Sequence, residues 1–282
     1  MGSESVRSEA VPREASAASW QLQMFRKTLK KQQKLRLLLA QAGPTSGRDC
    51  LLVTHGDNNG ALNHGFRAAG GRWTWVENED DRIPEMRELL GDPVLRGAPD
   101  HIPLGDAGFD LVVSIDVHEH LDDCAAFNRE LARVVRPGGT VIVTTPNGDA
   151  RKPVTVLKQW VGMTKEAYGH KVIGYDIPQL EQMLKSVGLR PVASGSYSHF
   201  FTELVELAIN FAYVKVLSRK KGSAEVAEGT IAPSSRDQLR SVERELRLHA
   251  AVYPVLRAIS ALDWPISFLN GYAVSVVGRK GE

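Results

Sequence analysis

The chain has 282 residues, 43% of them apolar and 24% charged, with a formal net charge of +2. That length buries the core of one elaborated domain, and the composition excludes a disordered or fibrous chain. The charge is too small to argue for a nucleic-acid binder.

Residues 1 to 18 are polar and read as a disordered N-terminus without a signal sequence. Trp20 to about Gln41 reads as one helix, with Leu22, Phe25 and Leu29 at helical spacing and Gly43-Pro44 as its stop. It is basic, carrying Arg26, Lys27, Lys30, Lys31, Lys34 and Arg36. A solvated basic face packed against a core is favoured over contact with an anionic bilayer.

A strand–helix alternation follows. Strands are expected at Cys50–Val53, Trp73–Val76, Asp110–Ile115 and Thr140–Thr144, and again at Leu189–Ala193. Helices are expected at Ala61–Ala69, Ile83–Leu90, Asp122–Val135 and Ile177–Val187. Pro137-Gly138-Gly139 reads as a turn. Such alternation implies a parallel sheet covered on both faces. The rhythm then breaks. Phe200–Leu217 is helix-like and apolar nearly all round, although Glu203, Glu206 and Lys215 keep it from being a membrane span. Ser218–Ser235 reads as a linker, Arg236–Leu262 as a helix with a kink at Pro254, and Tyr272–Val277 as a last strand. The two cysteines, Cys50 and Cys124, have neither disulfide nor metal spacing, which fits a reduced, cytoplasmic protein.

Ligands of such sheets bind at the carboxyl ends of the strands, so the turn His55-Gly56-Asp57-Asn58-Asn59-Gly60 is the place to look. A helix N-terminus there favours a pyrophosphate, but Asp57 would repel one. A cationic cofactor without phosphate suits the turn better, and Asn58 tolerates the left-handed backbone a tight turn needs. Glu77 ends the next strand, where an acid can accept from a ribose diol.

Ile102-Pro103-Leu104, Asp106, Phe109-Asp110, Glu119-His120-Leu121 and Arg136-Pro137-Gly138-Gly139 resemble the motifs of class I S-adenosylmethionine-dependent methyltransferases. The resemblance covers about residues 48 to 193, with Tyr272 to Lys280 as the family's last strand, and extends to small-molecule enzymes of the ubiquinone-biosynthesis type. It implies an α/β, doubly wound, mostly parallel seven-stranded sheet (the Rossmann-like methyltransferase fold) with a helical insertion before the last strand. The implied division is a basic N-terminal helix over 19–45, a cofactor core over 46–199, a helical insertion or lid over 200–262, and the final strand within 263–282. Cofactor contacts fall on Gly56, Asp57, Asn58, Gly60, Glu77, Asp100 and Asp116. Three positions depart from the family pattern: Thr54 where an acid is usual, Asn58 for the middle glycine, and Ala98 near where the adenine-binding acid should fall, leaving Asp100 slightly displaced.

Methyl transfer needs an acceptor held in line and, for a hydroxyl, a group to take its proton. Asp116, Glu119 and His120 are the catalytic candidates. Asp116-x-x-Glu119-His120 is similar to a segment of metal-dependent O-methyltransferases, with His170 as a later ligand, so Asp116, Glu119, His120 and His170 form a candidate site for magnesium, manganese or zinc. The alternative is a metal-free pocket. Pro146-Asn147 would line it, and His118 would face elsewhere. The expected activity is methyl transfer to a small-molecule acceptor, apolar or lipid-like if the insertion forms an apolar lid. A non-catalytic binding module on this fold, or a nicotinamide oxidoreductase, are the alternatives. Neither a nucleic-acid partner nor an oligomeric state is indicated.

Overall fold

The computed structural model describes residues 19–56, 58–221 and 243–282. The expected disordered N-terminus, Asp57 and most of the expected linker lie outside the described residues. Seven strands form one sheet: β1 (Asp49–Thr54), β2 (Arg72–Glu77), β3 (Val94–Arg96), β4 (Phe109–Ile115), β5 (Val135–Pro146), β6 (Leu189–Tyr197) and β7 (Ala273–Lys280). Their order is β3-β2-β1-β4-β5-β7-β6, with β7 antiparallel to both neighbours and the other pairs parallel. The order reverses between β1 and β4, which opens a crevice at their carboxyl ends.

The central strands are apolar on both faces. Leu51 and Val53 pack with Val112, Phe127, Leu131 and Val143 on one side, whereas Cys50 and Leu52 join Leu38, Phe66, Trp75 and Met86 on the other. This is the alternation of a strand buried from both sides. The first face is covered by α5 (Cys124–Val134) and α7 (Ile177–Ser186), the second by α2 (Leu29–Ala42), α3 (Ala61–Ala68) and α4 (Ile83–Leu90). Local signals set the helix starts: Asp123 caps α5, and Asp176 with Gln179 forms a capping box on α7. Both cysteines are buried and free.

Several expectations change. The single helix at Trp20 is broken into α1 (Trp20–Phe25) and α2, and the Gln32 amide donates to the Phe25 and Arg26 carbonyls at the break. Pro137-Gly138-Gly139 is a bulge inside β5, not a turn: pairing with β4 passes from Phe109–Val135 to Leu111–Thr140, and Gly138 takes φ +71°. Two elements were not foreseen, the short edge strand β3 and α6 (Pro153–Trp160). The helical insertion lies between β6 and β7 as α8 (Phe200–Lys221) and α9 (Glu243–Ala261), with α9 running through Pro254. Asp263, just after α9, accepts from the Phe201 and Thr202 N–H groups and so caps the start of α8. Gln33 of α2 ties this pair down by donating to Thr202 and accepting from the Ser198 N–H.

Candidate active site

The carboxyl edge of the sheet opens into a cavity of about 480 Å³. Its floor is His55 and Gly56 after β1, Glu79 after β2, Asp116, Glu119 and His120 after β4, and Pro146 and Asn147 after β5. Its roof comes from α2, α6, α8 and the 163–173 segment.

The β1 turn is held by an unusual network. Glu77 is fully buried and accepts from the Thr54 hydroxyl (2.6 Å), the Gly56 N–H (2.8 Å) and the Glu79 N–H (2.9 Å). Asn58 donates to Thr54 and to Asn63 and accepts from the Gly60 N–H. The departures at Thr54 and Asn58 therefore compensate one another. A carboxylate at 54 would face the Glu77 carboxylate, and a glycine at 58 would leave Asn63 and Thr54 short of a donor. Burial pushes the Glu77 carboxyl up, against its donors, which also include the Asn78 N–H. Gly56 and Gly60 both take positive φ, +68° and +89°, as the tight turn requires. The acid that lines the cavity here is Glu79, which sequence reasoning missed. His55 was missed as well. Burial first, then His120 and Arg96, hold His55 at about 3. It is therefore neutral, and its Nε2 meets Glu79 at 3.2 Å as an N–H donor. Its Nδ1 is then a buried acceptor without a hydrogen-bond partner. Asp100 is exposed on the 98–101 turn and does not line the cavity.

Asp116 sits at φ +50°, a conformation non-glycine residues adopt rarely, and its carboxylate takes the ammonium of Lys34 from α2. Glu119 is buried and accepts from Thr145 Oγ1 at 3.0 Å. Burial, and next the Asp116 charge, push its carboxyl well above the usual range. His120 Nδ1 lies 3.0 Å from the Gly169 carbonyl. A carbonyl only accepts, so Nδ1 carries a proton, and in the neutral ring Nε2 keeps a lone pair. The His120 ring stacks on His55 at 4.3 Å and meets His170 edge-on at 4.7 Å.

His170 arrives because its loop is pinned from two sides. The Lys171 and Val172 N–H groups donate to the Glu119 carbonyl, and Tyr175 N–H donates to Pro146. Gly174 lies so close to β5 that a Cβ there would sit 2.0 Å from the Pro146 oxygen. Of the four expected metal ligands, Glu119, His120 and His170 come together with donor atoms within 4.8 Å of one another. Asp116 is engaged by Lys34 instead. His118, as expected, points away from the site: it is fully buried, bonded to Asn128 at 2.9 Å, and held by burial at about 4.

The basic helix is a solvated face only in part, at the exposed Arg26 and Arg36. Lys30, Lys31 and Lys34 line the cavity, and Lys34 is 4% exposed. Nor is the cavity-facing side of α8 apolar. Glu203, Glu206 and Asn210 face the chamber at one-turn spacing, whereas Leu204, Leu207 and Phe211 pack against Val154, Met163 and Tyr272.

A doubly wound sheet with an antiparallel β7 beside β5, and a cavity at the β1/β4 switch, define a Rossmann-like cofactor fold. Residues 56–143 match the family model described as a methyltransferase domain. A probable S-adenosylmethionine-dependent methyltransferase of Mycolicibacterium smegmatis is 54% identical over 46 residues, which is 16% of this chain and 18% of that relative. The match thus spans less than a fifth of the curated relative. The fold is shared with a putative methyltransferase of Bacillus halodurans (TM-score 0.55, 15% identity, 88% of this chain and 99% of that one). It is also shared with the 4+2 cyclase SpnF (TM-score 0.58, 14% identity, 89% and 81%). Residues 56–143 thus resemble a methyltransferase domain, and the whole sheet shares the Rossmann-like fold of these structures.

Proposed function

We propose that the protein transfers a methyl group from S-adenosylmethionine to a small-molecule acceptor. The observation that carries this reading is the single cavity joining the β1 turn to the Asp116–His120 crest. The residues fit a cationic, phosphate-free cofactor. Glu79 and Asp116 supply carboxylates, and the partnerless His55 Nδ1 supplies a buried acceptor for an ammonium N–H. Bound over residues 55–60, S-adenosylmethionine would supply an electrophilic methyl group.

The chain's own residues then have to position the acceptor and take its proton. His120 is the base we assign, because Gly169 fixes the tautomer that leaves Nε2 as acceptor. Asp116 and Lys34 hold the β4 end of the crevice. Helix α8, together with α2 and α6, acts as the cover of the acceptor chamber. A second reading rests on Glu119, His120 and His170: their mutual distances suit a divalent ion, which would lower an acceptor hydroxyl's pKa.

Titration calorimetry with S-adenosylmethionine, S-adenosylhomocysteine and NADH tests the proposal. Binding of the first two alone supports it. Binding of none supports a non-catalytic module, a role that methyltransferase-like folds can host, since fold does not fix function. Binding of NADH would favour an oxidoreductase.

A further inference from the structure

We propose that the acceptor carries an anionic group, a carboxylate or a phosphate, which Lys30 and Lys158 hold in the chamber beneath α8. This deepens the methyltransferase reading and rests on it.

The two lysines come from different helices, α2 and α6, and converge on one carboxylate. Lys30 Nζ lies 3.0 Å from Glu203, and Lys158 Nζ pairs with the same side chain. Glu203 is 1% exposed and also accepts from the Ser198 hydroxyl, so its acceptor capacity is heavily used. Each ammonium carries three N–H donors. Among the described residues, Glu203 is the one acceptor that either of them is seen to reach, apart from the Tyr168 ring 5.3 Å from Lys158. Both lysines line the cavity, so the remaining donors are available to whatever occupies it.

The other nearby acid is Glu206, whose carboxyl burial pushes up, toward keeping its proton. Burial also pushes Lys158 down, with Lys30 adding to the effect against the pull of Glu203. Two lysine amines from different helices thus share one buried carboxylate, and an anion entering the chamber would meet the remaining N–H donors of both. Lys34 is a separate matter. It sits on Asp116 at the cofactor end, and the cofactor's own carboxylate could reach that end. An experiment on the chamber must therefore keep the cofactor site filled.

The test uses the full chain saturated with S-adenosylhomocysteine, titrated at constant ionic strength with inorganic phosphate, benzoate and, as a neutral control, benzamide. Phosphate or benzoate should bind at least about tenfold more tightly than benzamide, a difference of about 1.4 kcal/mol, and whichever binds better names the anion. Lys158→Met and Lys30→Met should each lose about tenfold in anion affinity, with S-adenosylhomocysteine binding unchanged. Glu203→Gln should move the other way and bind the anion more tightly, a gain that a merely structural role for Glu203 would not give. Equal affinity for benzoate and benzamide, with phosphate inert, would overturn the proposal while leaving the methyltransferase reading intact. So would lysine variants that bind anions as the wild type does. Failure of S-adenosylhomocysteine to bind would instead remove the methyltransferase reading, and the acceptor assignment with it, even if anions still bound.

Discussion

Thr54 donates its hydroxyl proton to Glu77 across 2.6 Å, between two side chains that are at most 1% exposed. This one bond explains how the chain builds the β1 turn with Thr54, not an acid, at the end of β1. Glu77 needs donors, because an unpaired buried carboxylate is expensive, and Thr54 is one of those it has. Thr54→Val should cost about 1–2 kcal/mol, the price of a lost buried donor. Restoring the family's acid with Thr54→Asp should cost more, about 3 kcal/mol or above, through an uncompensated buried charge. Denaturant unfolding of both variants checks the order. A Thr54→Asp protein as stable as wild type would show that the network does not hold the turn.

Gly174 controls the site from a distance. Its φ of +148° and its closeness to the Pro146 carbonyl leave no room for a side chain. Gly174→Ala should displace the segment that carries His170 and destabilise the fold by at least about 2 kcal/mol. Turnover should fall further than stability does. A neutral outcome in unfolding and turnover would mean that the segment does not need this close approach.

His120→Gln should lower kcat by about a hundredfold, the usual scale of a lost general base, and leave S-adenosylhomocysteine affinity unchanged. Exhaustive chelation should leave wild-type turnover intact if His120 acts as a base without a metal. Loss of turnover on chelation, restored by manganese or zinc, would favour the Glu119–His120–His170 ion site instead.

The buried His118 gives a pH signature. Its folded value of about 4 lies below the unfolded value of about 6.5. Between those limits the unfolded chain binds the extra proton, so stability should fall as pH drops from 6.5 to 4, by up to about 1.4 kcal/mol per unit. His55 acts in the same direction. Glu119 and Glu206, whose folded carboxyls are raised, act in the opposite one: the stability they contribute is present at low pH and lost as pH rises. Comparing wild type with His118→Gln isolates the histidine. The variant's stability should be flatter across that window in urea titrations at pH 5 and 7, and parallel curves would contradict the assignment.

The central strands were legible because each is a continuous apolar run, and α5 and α7 because their caps are written in Asp123, Asp176 and Gln179. The three-residue β3 carries too short a pattern to read, and α6 opens on Pro153 with three β-branched residues in a row after it. At the site, Glu119, His120 and His170 were readable from their motif, although the bond that joins them, Lys171 to the Glu119 carbonyl, is a backbone contact no side chain announces. The lysines of α2 show the limit most clearly. A basic stripe does not say whether it meets water or a chamber until α6 and α8 are placed against it. Glu203 and Glu206 were visible in the sequence as interruptions of an apolar run, and their companions Lys30 and Lys158 lie far away along the chain.

The most direct measurement is a crystal structure grown with saturating S-adenosylhomocysteine. Density for the ligand should lie over residues 55–60, with its amino-acid end between His55 and Asp116. An empty crevice under those conditions, or a nicotinamide dinucleotide taking the same place in a parallel soak, would contradict the assignment of this cavity to a cationic adenosyl cofactor.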